Sequence, residues 1–314
     1  MSRAAASAAV KAASPSFSKH PVLRQELLKA FPGAAFNETG RHLKDDELAR
    51  FFADAEGAVV GLEKVGETLL SRCPKLRIVA KYGVGLDNID QEACRRRRVA
   101  VGWTGGVNRR SVSEMTLACM IGLCRRVFHG ARELAQGRWK KEGGRQLSGR
   151  TVGVIGAGNV GKDLIALLKP FGCRVLVNDI VDQKDYCRER GLVEATKEAL
   201  YAEAEIVTLH VPLTERTRRM IDRETLRLFK PEAFLINTSR GEIVEQAALK
   251  EALMSGRLAG AALDVYEEEP PADREFLALP NLVATPHIGG NAEEAVLAMG
   301  RSAIFHLQNF FNAS

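Results

Sequence analysis

Long apolar runs are missing from these 314 residues: none approaches the ~20 needed for a helix to span a bilayer. The six cysteines (Cys73, Cys94, Cys119, Cys124, Cys173 and Cys187) form no C-x-x-C pair, and no histidine stands at zinc-ligand spacing from them. No metal site is therefore expected. Cys119 and Cys124 lie in apolar stretches and read as reduced, buried thiols of a cytosol-like compartment. No interleaving of basic and aromatic residues accompanies the net charge of +6, and the 45 basic residues are spread among 39 acidic ones. That balance favours small anionic ligands over nucleic acid. The run Arg95–Arg98 reads as a solvated helix end, where positive charge suits the helix dipole. Acidic residues are absent from Met1 to Gln25, a trait of organelle presequences. A strand read over Ala8–Ala13 leaves only about seven spare residues, too few for such a leader, so a cytoplasmic location is expected.

What is present is a globular composition, 46% hydrophobic and 27% charged, in a chain long enough for two ordinary domains. Short apolar runs at Ala8–Ala13, Ala58–Gly61, Leu76–Lys81 and Ala100–Gly102 alternate with helical patterns at Val22–Ala30, Asp45–Phe52, Val65–Arg72 and Ile89–Arg96. Such alternation predicts a parallel sheet covered by helices. Gly105-Gly106 breaks the pattern as a hinge, and a long apolar helix follows over Ser111–Val127, with Ser111 or Ser113 as its cap. A polar stretch with Trp139 leads into a second alternating unit. Its strands are predicted at Thr151–Ile155, Arg174–Asn178, Ile206–Leu209, Ala233–Ile236, Gly260–Leu263 and Leu282–Ala284, with helices at Val160–Phe171 and Gln246–Ser255 among those between. Six strands suit a doubly wound nucleotide-binding domain. A helix over Gly290–Phe311 could return to the first unit. The fold class read from this pattern is α/β, two Rossmann- or flavodoxin-like parallel-sheet domains with a cleft between them.

Gly156-Ala-Gly-Asn-Val-Gly161 follows a strand and opens a helix. Gly156 permits the tight turn, Gly158 lets backbone approach a pyrophosphate, and Gly161 allows helix and strand to pack closely. The helix start at Asn159 and Val160 offers free N–H groups to phosphate. Asp179 ends the next strand, 18 residues after Gly161. A carboxylate there accepts from ribose hydroxyls and repels a 2′-phosphate, and no basic residue directly follows it, so the expected cofactor is NAD rather than NADP. Downstream lie Asn237-Thr-Ser-Arg-Gly241, Asp264-Val-Tyr-Glu-Glu-Glu-Pro270 and Thr285-Pro-His-Ile-Gly-Gly290. They supply a fixed cation (Arg240), a carboxylate (Glu269) and an imidazole (His287). Each has an ordinary alternative, a salt bridge, an acidic turn or a structural histidine. Together, beside a dinucleotide site, they are the groups needed to move a hydride and a proton on an anionic 2-hydroxy or 2-keto acid.

These stretches, with Lys81-Tyr-Gly-Val-Gly-Leu-Asp-Asn-Ile-Asp90 and Val107-Asn-Arg-Arg-Ser-Val-Ser-Glu114, resemble the D-isomer-specific 2-hydroxyacid dehydrogenase family, most closely its phosphoglycerate dehydrogenase branch. The resemblance runs over nearly the whole chain. It implies that Arg240 binds substrate, His287 is the acid/base and Glu269 its partner. Main-chain amides near Val84 and Gly85 would hold the substrate carboxylate. Thr238, Asp264 and Gly289 would line the cofactor, with His210, Pro212 and Thr217 on its adenosine side. A substrate-binding domain of residues 1–105 plus 290–314 and an NAD-binding domain of residues 106–289 are expected, with the active site in the cleft. The glutamine that replaces the partner glutamate in formate dehydrogenase relatives is absent here. C-terminal regulatory domains are not expected, and a homodimer is, through the helix from Ser111 and the arm near Trp139.

Two rival readings accompany a 3-phosphoglycerate dehydrogenase-like activity. One is a glyoxylate or hydroxypyruvate reductase, or another dehydrogenase of the family, since Lys19, Lys81, Arg109 and Arg110 could hold a phosphate without proving one. The other is an NAD(H)-sensing binding protein like the corepressors built on this fold.

Overall fold

A computed structural model describes residues 8–313 and divides into two compact units. One comprises the chain up to Asn108 together with residues from Glu293 onward, and the other comprises Arg109–Ala292. The question of a leader peptide falls on residues 1–7, outside the described residues. No helix among the described residues is long and apolar enough to cross a membrane.

The first unit is built on β1 (Val10–Ala12), β2 (Ala35–Phe36), β3 (Gly57–Val60), β4 (Ile78–Lys81) and β5 (Ala100–Gly102). They form one parallel sheet in the order β2-β1-β3-β4-β5. Side chains alternate between its faces, as the pleat requires. Val10, Ala12, Val59, Ile78 and Ala80 pack under Met299, Ala303, Leu307 and Phe311 of the long helix Glu293–Ala313. Ala58, Val60 and Val79 face Phe52, Leu70 and Cys94 on the other side. Burial on both faces explains why these strands read as continuous apolar runs.

The second unit contains β6 (Thr151–Ile155), β7 (Arg174–Asn178), β8 (Val193–Glu194), β9 (Ile206–Leu209), β10 (Phe234–Asn237), β11 (Gly260–Leu263) and β12 (Leu282–Ala284). All are parallel, in the order β12-β11-β10-β9-β6-β7-β8, so the order reverses between β6 and β9. Helices Arg109–Cys124 and Asn159–Leu168 cover one face through Cys119, Met120, Leu164 and Leu168. Leu200, Leu226 and Leu249, on helices Lys197–Glu203, Arg223–Leu228 and Gln246–Met254, cover the other.

Several local expectations are corrected. The sheets have five and seven strands, because the two-residue edge strands β2 and β8 are too short to show a period. The helix read over Val65–Arg72 shrinks to Glu67–Leu70, since Val65 pairs instead with Ile89. That pairing also delays the next helix to Gln91, where Asp90 caps it through Ala93 N–H (2.9 Å). The long apolar helix runs Arg109–Cys124. It ends because Arg126 is left-handed (φ 53°), and a separate helix, Val127–Ala135, begins there. Ser111 and Ser113 therefore lie inside the helix and do not cap it. The Arg95–Arg98 run meets Glu92 and Glu67 at the surface, as a solvated helix end should.

Candidate active site

The glycine-rich turn has the local geometry its sequence requires. Gly156 adopts φ +96°, and a Cβ on it would come within 2.4 Å of the His210 carbonyl oxygen. A Cβ on Gly161 would lie 2.0 Å from the Gly156 oxygen, so only glycine lets the helix start this close to the strand. Gly158 differs: its Cβ would meet nothing within 4 Å. The middle glycine thus faces open space, and that is where backbone must approach a pyrophosphate. Asn159, Val160 and Gly161 form the first turn of helix Asn159–Leu168, and no side chain caps it. Its N–H groups and positive end suit phosphate. Asp179, after β7, accepts from Ala157 N–H (2.6 Å) and Val181 N–H (2.9 Å). The first bond ties the carboxylate to the glycine turn, and the second fixes it within its own loop. These residues fit a bound dinucleotide.

His210 follows β9, with Nε2 2.9 Å from Thr208 Oγ1. Burial pushes its pKa down to about 4, so its ring is neutral near pH 7. Pro212 and Thr217 belong to the loop beyond it, where the Thr217 hydroxyl donates to Pro212 O (2.7 Å) and accepts from Thr214 N–H (2.8 Å).

Arg240, Glu269 and His287 follow the carboxyl ends of β10, β11 and β12, three successive neighbours at the edge of one sheet. Gly241 lets the Arg240 turn lie against the next loop, because a Cβ there would overlap the Tyr266 carbonyl carbon at 1.9 Å. Asn237 braces the turn, donating from Nδ2 to Arg240 O (2.8 Å), and the Arg240 guanidinium donates to Ser239 O (2.7 Å). His287 Nδ1 lies 2.7 Å from Glu269 Oε2, while Glu269 Oε1 accepts from Tyr266 N–H (3.1 Å). Neighbouring Glu267 lies 4.0 Å from Arg219, so of these two carboxylates it is Glu269 that meets the imidazole. Burial raises the pKa of Glu269. The His287 hydrogen bond and charge, with the Arg240 charge, outweigh it, and the net shift is downward. In His287 the Glu269 hydrogen bond dominates and lifts the pKa above the ordinary imidazole value, against burial and the repulsion of Arg240. An ionised carboxylate only accepts, so Nδ1 carries a hydrogen and Nε2 is left to serve a ligand.

Asp264 is 2% exposed and takes three donors from the His287 loop: Thr285 Oγ1 (2.7 Å), Ile288 N–H (2.9 Å) and Gly289 N–H (2.7 Å). A Cβ on Gly289 would press to 2.9 Å from the same carboxylate. The apolar helix Arg109–Cys124 contributes hydroxyls that sequence reasoning missed. Ser111 donates to Gly289 O (2.6 Å), Ser113 contacts Val160 O (3.2 Å), and Thr116 lies 3.0 Å from Thr238 Oγ1. Three motif loops thus hang on one helix. The only clue in the sequence was short hydroxyl side chains inside an otherwise apolar pattern.

In the first unit, Val84 and Gly85 lie in the loop after β4. Lys81 is 4% exposed, and its Nζ donates to Gly61 O (2.5 Å) and Asn88 Oδ1 (2.6 Å), so it braces this loop rather than facing a ligand. Arg110 pairs with Asp163 at 3.0 Å, and Arg109 lies 4.0 Å from the same carboxylate.

The model of the D-isomer specific 2-hydroxyacid dehydrogenase NAD binding domain matches residues 117–289. A hydroxypyruvate reductase of Thermotoga maritima is 34% identical over 83% of this chain and 87% of its own length. A D-3-phosphoglycerate dehydrogenase of Methanocaldococcus jannaschii is 36% identical over 88% of this chain, which spans only about half (54%) of that relative. Among solved structures, the TT0316 protein of Thermus thermophilus superposes with a TM-score of 0.82 at 32% identity, covering 95% of this chain and 94% of that one. With the glycine turn and the arginine–glutamate–histidine cluster in place, the chain belongs to the D-isomer-specific 2-hydroxyacid dehydrogenase family and is an NAD-dependent oxidoreductase.

Proposed function

We propose that the chain interconverts a small D-2-hydroxy acid and its 2-keto acid through Arg240, Glu269 and His287. The observation that carries this reading is the 2.7 Å contact of His287 with Glu269 beside the charge of Arg240. Bound nicotinamide supplies or accepts the hydride. Arg240 grips the substrate carboxylate and steadies charge growing on the keto oxygen. His287 holds a proton on Nε2 and gives it to the forming alkoxide, or removes it in the oxidative direction. Glu269 fixes the ring and stabilises its charged form. Asp179 favours NAD over NADP, with Gly156, Gly158, Asn159, Val160 and Gly161 receiving the pyrophosphate. Thr238, Asp264 and Gly289 line the cofactor, and His210, Pro212 and Thr217 flank its adenosine side.

The substrate reading shifts from 3-phosphoglycerate toward an unphosphorylated acid such as hydroxypyruvate or glyoxylate. Of the four cations that could hold a phosphate, Lys81 is buried in hydrogen bonds and Arg110 and Arg109 lean on Asp163, which leaves the exposed Lys19. The test is a panel of 2-keto acids with NADH, followed by absorbance: hydroxypyruvate or glyoxylate should be reduced faster than phosphohydroxypyruvate. His287→Ala should lower turnover by about 10²–10⁴-fold with NADH binding retained. Tight NADH binding with no keto acid reduced would favour the NAD(H)-sensing alternative.

A cytoplasmic homodimer completes the reading. Phe128 is 41%, Leu134 58% and Trp139 76% exposed, large apolar areas for a monomer surface. A groove of about 760 Å³, lined partly by Phe128, Leu253 and Met254, adds to them within the same unit.

A further inference from the structure

Arg240, Glu269 and His287 stand on three loops of the second unit, and one buried residue meets all three loops. Tyr266 follows β11 and is 5% exposed. Its N–H donates to Glu269 Oε1 (3.1 Å). Its main chain lies against Gly241, the neighbour of Arg240, so closely that only glycine fits there. Its hydroxyl donates to Thr285 O (3.0 Å), with Leu263 O farther off at 3.3 Å. Thr285 O also accepts from His287 N–H (3.1 Å), which closes a three-residue turn about Pro286. The carbonyl that fixes the histidine backbone is thus itself held by the tyrosine.

Burial pushes the Tyr266 pKa up to about 12, helped by the charges of Asp264 and Glu269, so the hydroxyl keeps its hydrogen and stays a donor. Its two donors are divided between the partners of one contact. The N–H holds the carboxylate, and the O–H holds the turn that carries the imidazole. The other braces serve one loop each: the Asp264 carboxylate grips the His287 loop, and Asn237 Nδ2 the Arg240 turn. Packing does not require the hydroxyl. Leu263 O already accepts from Thr285 N–H (3.0 Å), and Thr285 O from His287 N–H. A phenylalanine at 266 would therefore leave neither carbonyl without a donor, and the usual cost of an orphaned buried group would not arise.

We propose that Tyr266 is a positioning residue: holding Glu269 by its N–H and the Thr285–His287 turn by its hydroxyl, it sets the spacing between the carboxylate and the imidazole that passes the proton. This rests on the dehydrogenase reading above and extends it to a residue that acts through the trio. A charge-assisted hydrogen bond is short and weakens with distance and angle, so a slackened turn costs the imidazole part of the support for its charged form. The groups bearing on that charge are Glu269 and Asp264, which favour it, and Arg240, which opposes it. Loosening the Glu269 contact therefore lowers the pH at which His287 gives up its proton.

The test is Tyr266→Phe, alone and combined with Glu269→Gln. Two readouts are compared: an NMR titration of the His287 ring in the ligand-free chain, and the pH profile of kcat/KM for hydroxypyruvate with NADH. In the single variant both should move to lower pH and kcat should fall about tenfold, while the folded state and NADH affinity are kept. In the Glu269→Gln background the substitution should add little, because the contact it spaces is already gone. An unmoved ring titration, or equal losses with and without Glu269, overturns the proposal. Loss of the folded state in Tyr266→Phe also overturns it, since the hydroxyl would then serve stability. If the wild type reduces no keto acid, the dehydrogenase reading fails, and the ring titration, which needs no substrate, still judges the spacing.

Discussion

His287 sits in a left-handed backbone conformation (φ 54°), uncommon for a residue with a side chain. Such a conformation persists only where its surroundings over-determine it, and here the surroundings are the three hydrogen bonds from its loop to Asp264. Glu269 then sets the proton affinity of the ring. Because the His287 pKa is raised, the protonated form needed for keto-acid reduction persists to higher pH than for a free imidazole, and reduction falls as pH rises through that elevated value. Oxidation needs the neutral ring and runs the opposite way. Glu269→Gln removes the dominant cause of the shift, so both inflections of the kcat/KM profiles should move to lower pH. Inflections that stay put would refute the role given to Glu269. The sequence made these three residues candidates. Residue chemistry alone could not separate Glu269 from Glu267 and Glu268, and only the family resemblance chose it, because the choice depends on which carboxylate the loop after β11 turns toward the loop after β12.

At the scale of elements, the glycine turn carries two different demands within six residues. Gly161 is a packing glycine: Gly161→Ala forces a Cβ to 2.0 Å from the Gly156 oxygen and should destabilise the second unit by about 1–3 kcal/mol. Gly158 is, on the proposed reading, a ligand glycine: a Cβ there meets no protein atom within 4 Å, so Gly158→Ala should leave the melting temperature nearly unchanged while weakening NADH binding about tenfold. Calorimetry with an NADH titration separates the two. Equal thermal losses in both variants would contradict this assignment. The strands β6, β7, β9, β11 and β12 were legible to the residue, because apolar runs bounded by turn residues leave little freedom. Edge strands β2 and β8 were not, since two residues held by one neighbour carry no pattern of their own. The polar duties of the helix Arg109–Cys124 were hidden for a related reason: hydroxyls at 111, 113 and 116 look like caps or core fillers until three loops converge on them.

For the whole molecule, assembly is the open physical question with the clearest test. The exposed Trp139 and Phe128 should be covered in a dimer, so sedimentation should give about twice the chain mass of 34.3 kDa, and Trp139→Ala should weaken association. A monomer at micromolar concentration would overturn the dimer. Composition, periodicity and the glycine motif by themselves determined the α/β class, the positions of most buried strands and the glycine-rich turn after β6, and made Arg240, His287 and one of three adjacent glutamates candidates. These are local properties, set by which residues can form a tight turn, pack on a pleated sheet or carry a charge. Tertiary structure decided what each polar side chain spends its hydrogen bonds on. Lys81, a candidate anion ligand in the sequence, is consumed in bracing a loop; Asp264 clamps the histidine loop; and Glu63, unremarked in the sequence, is buried beneath His42, 2.7 Å from its Nδ1. A side chain has only so many donors and acceptors, and which partners claim them depends on strands distant in sequence meeting at one edge of a sheet.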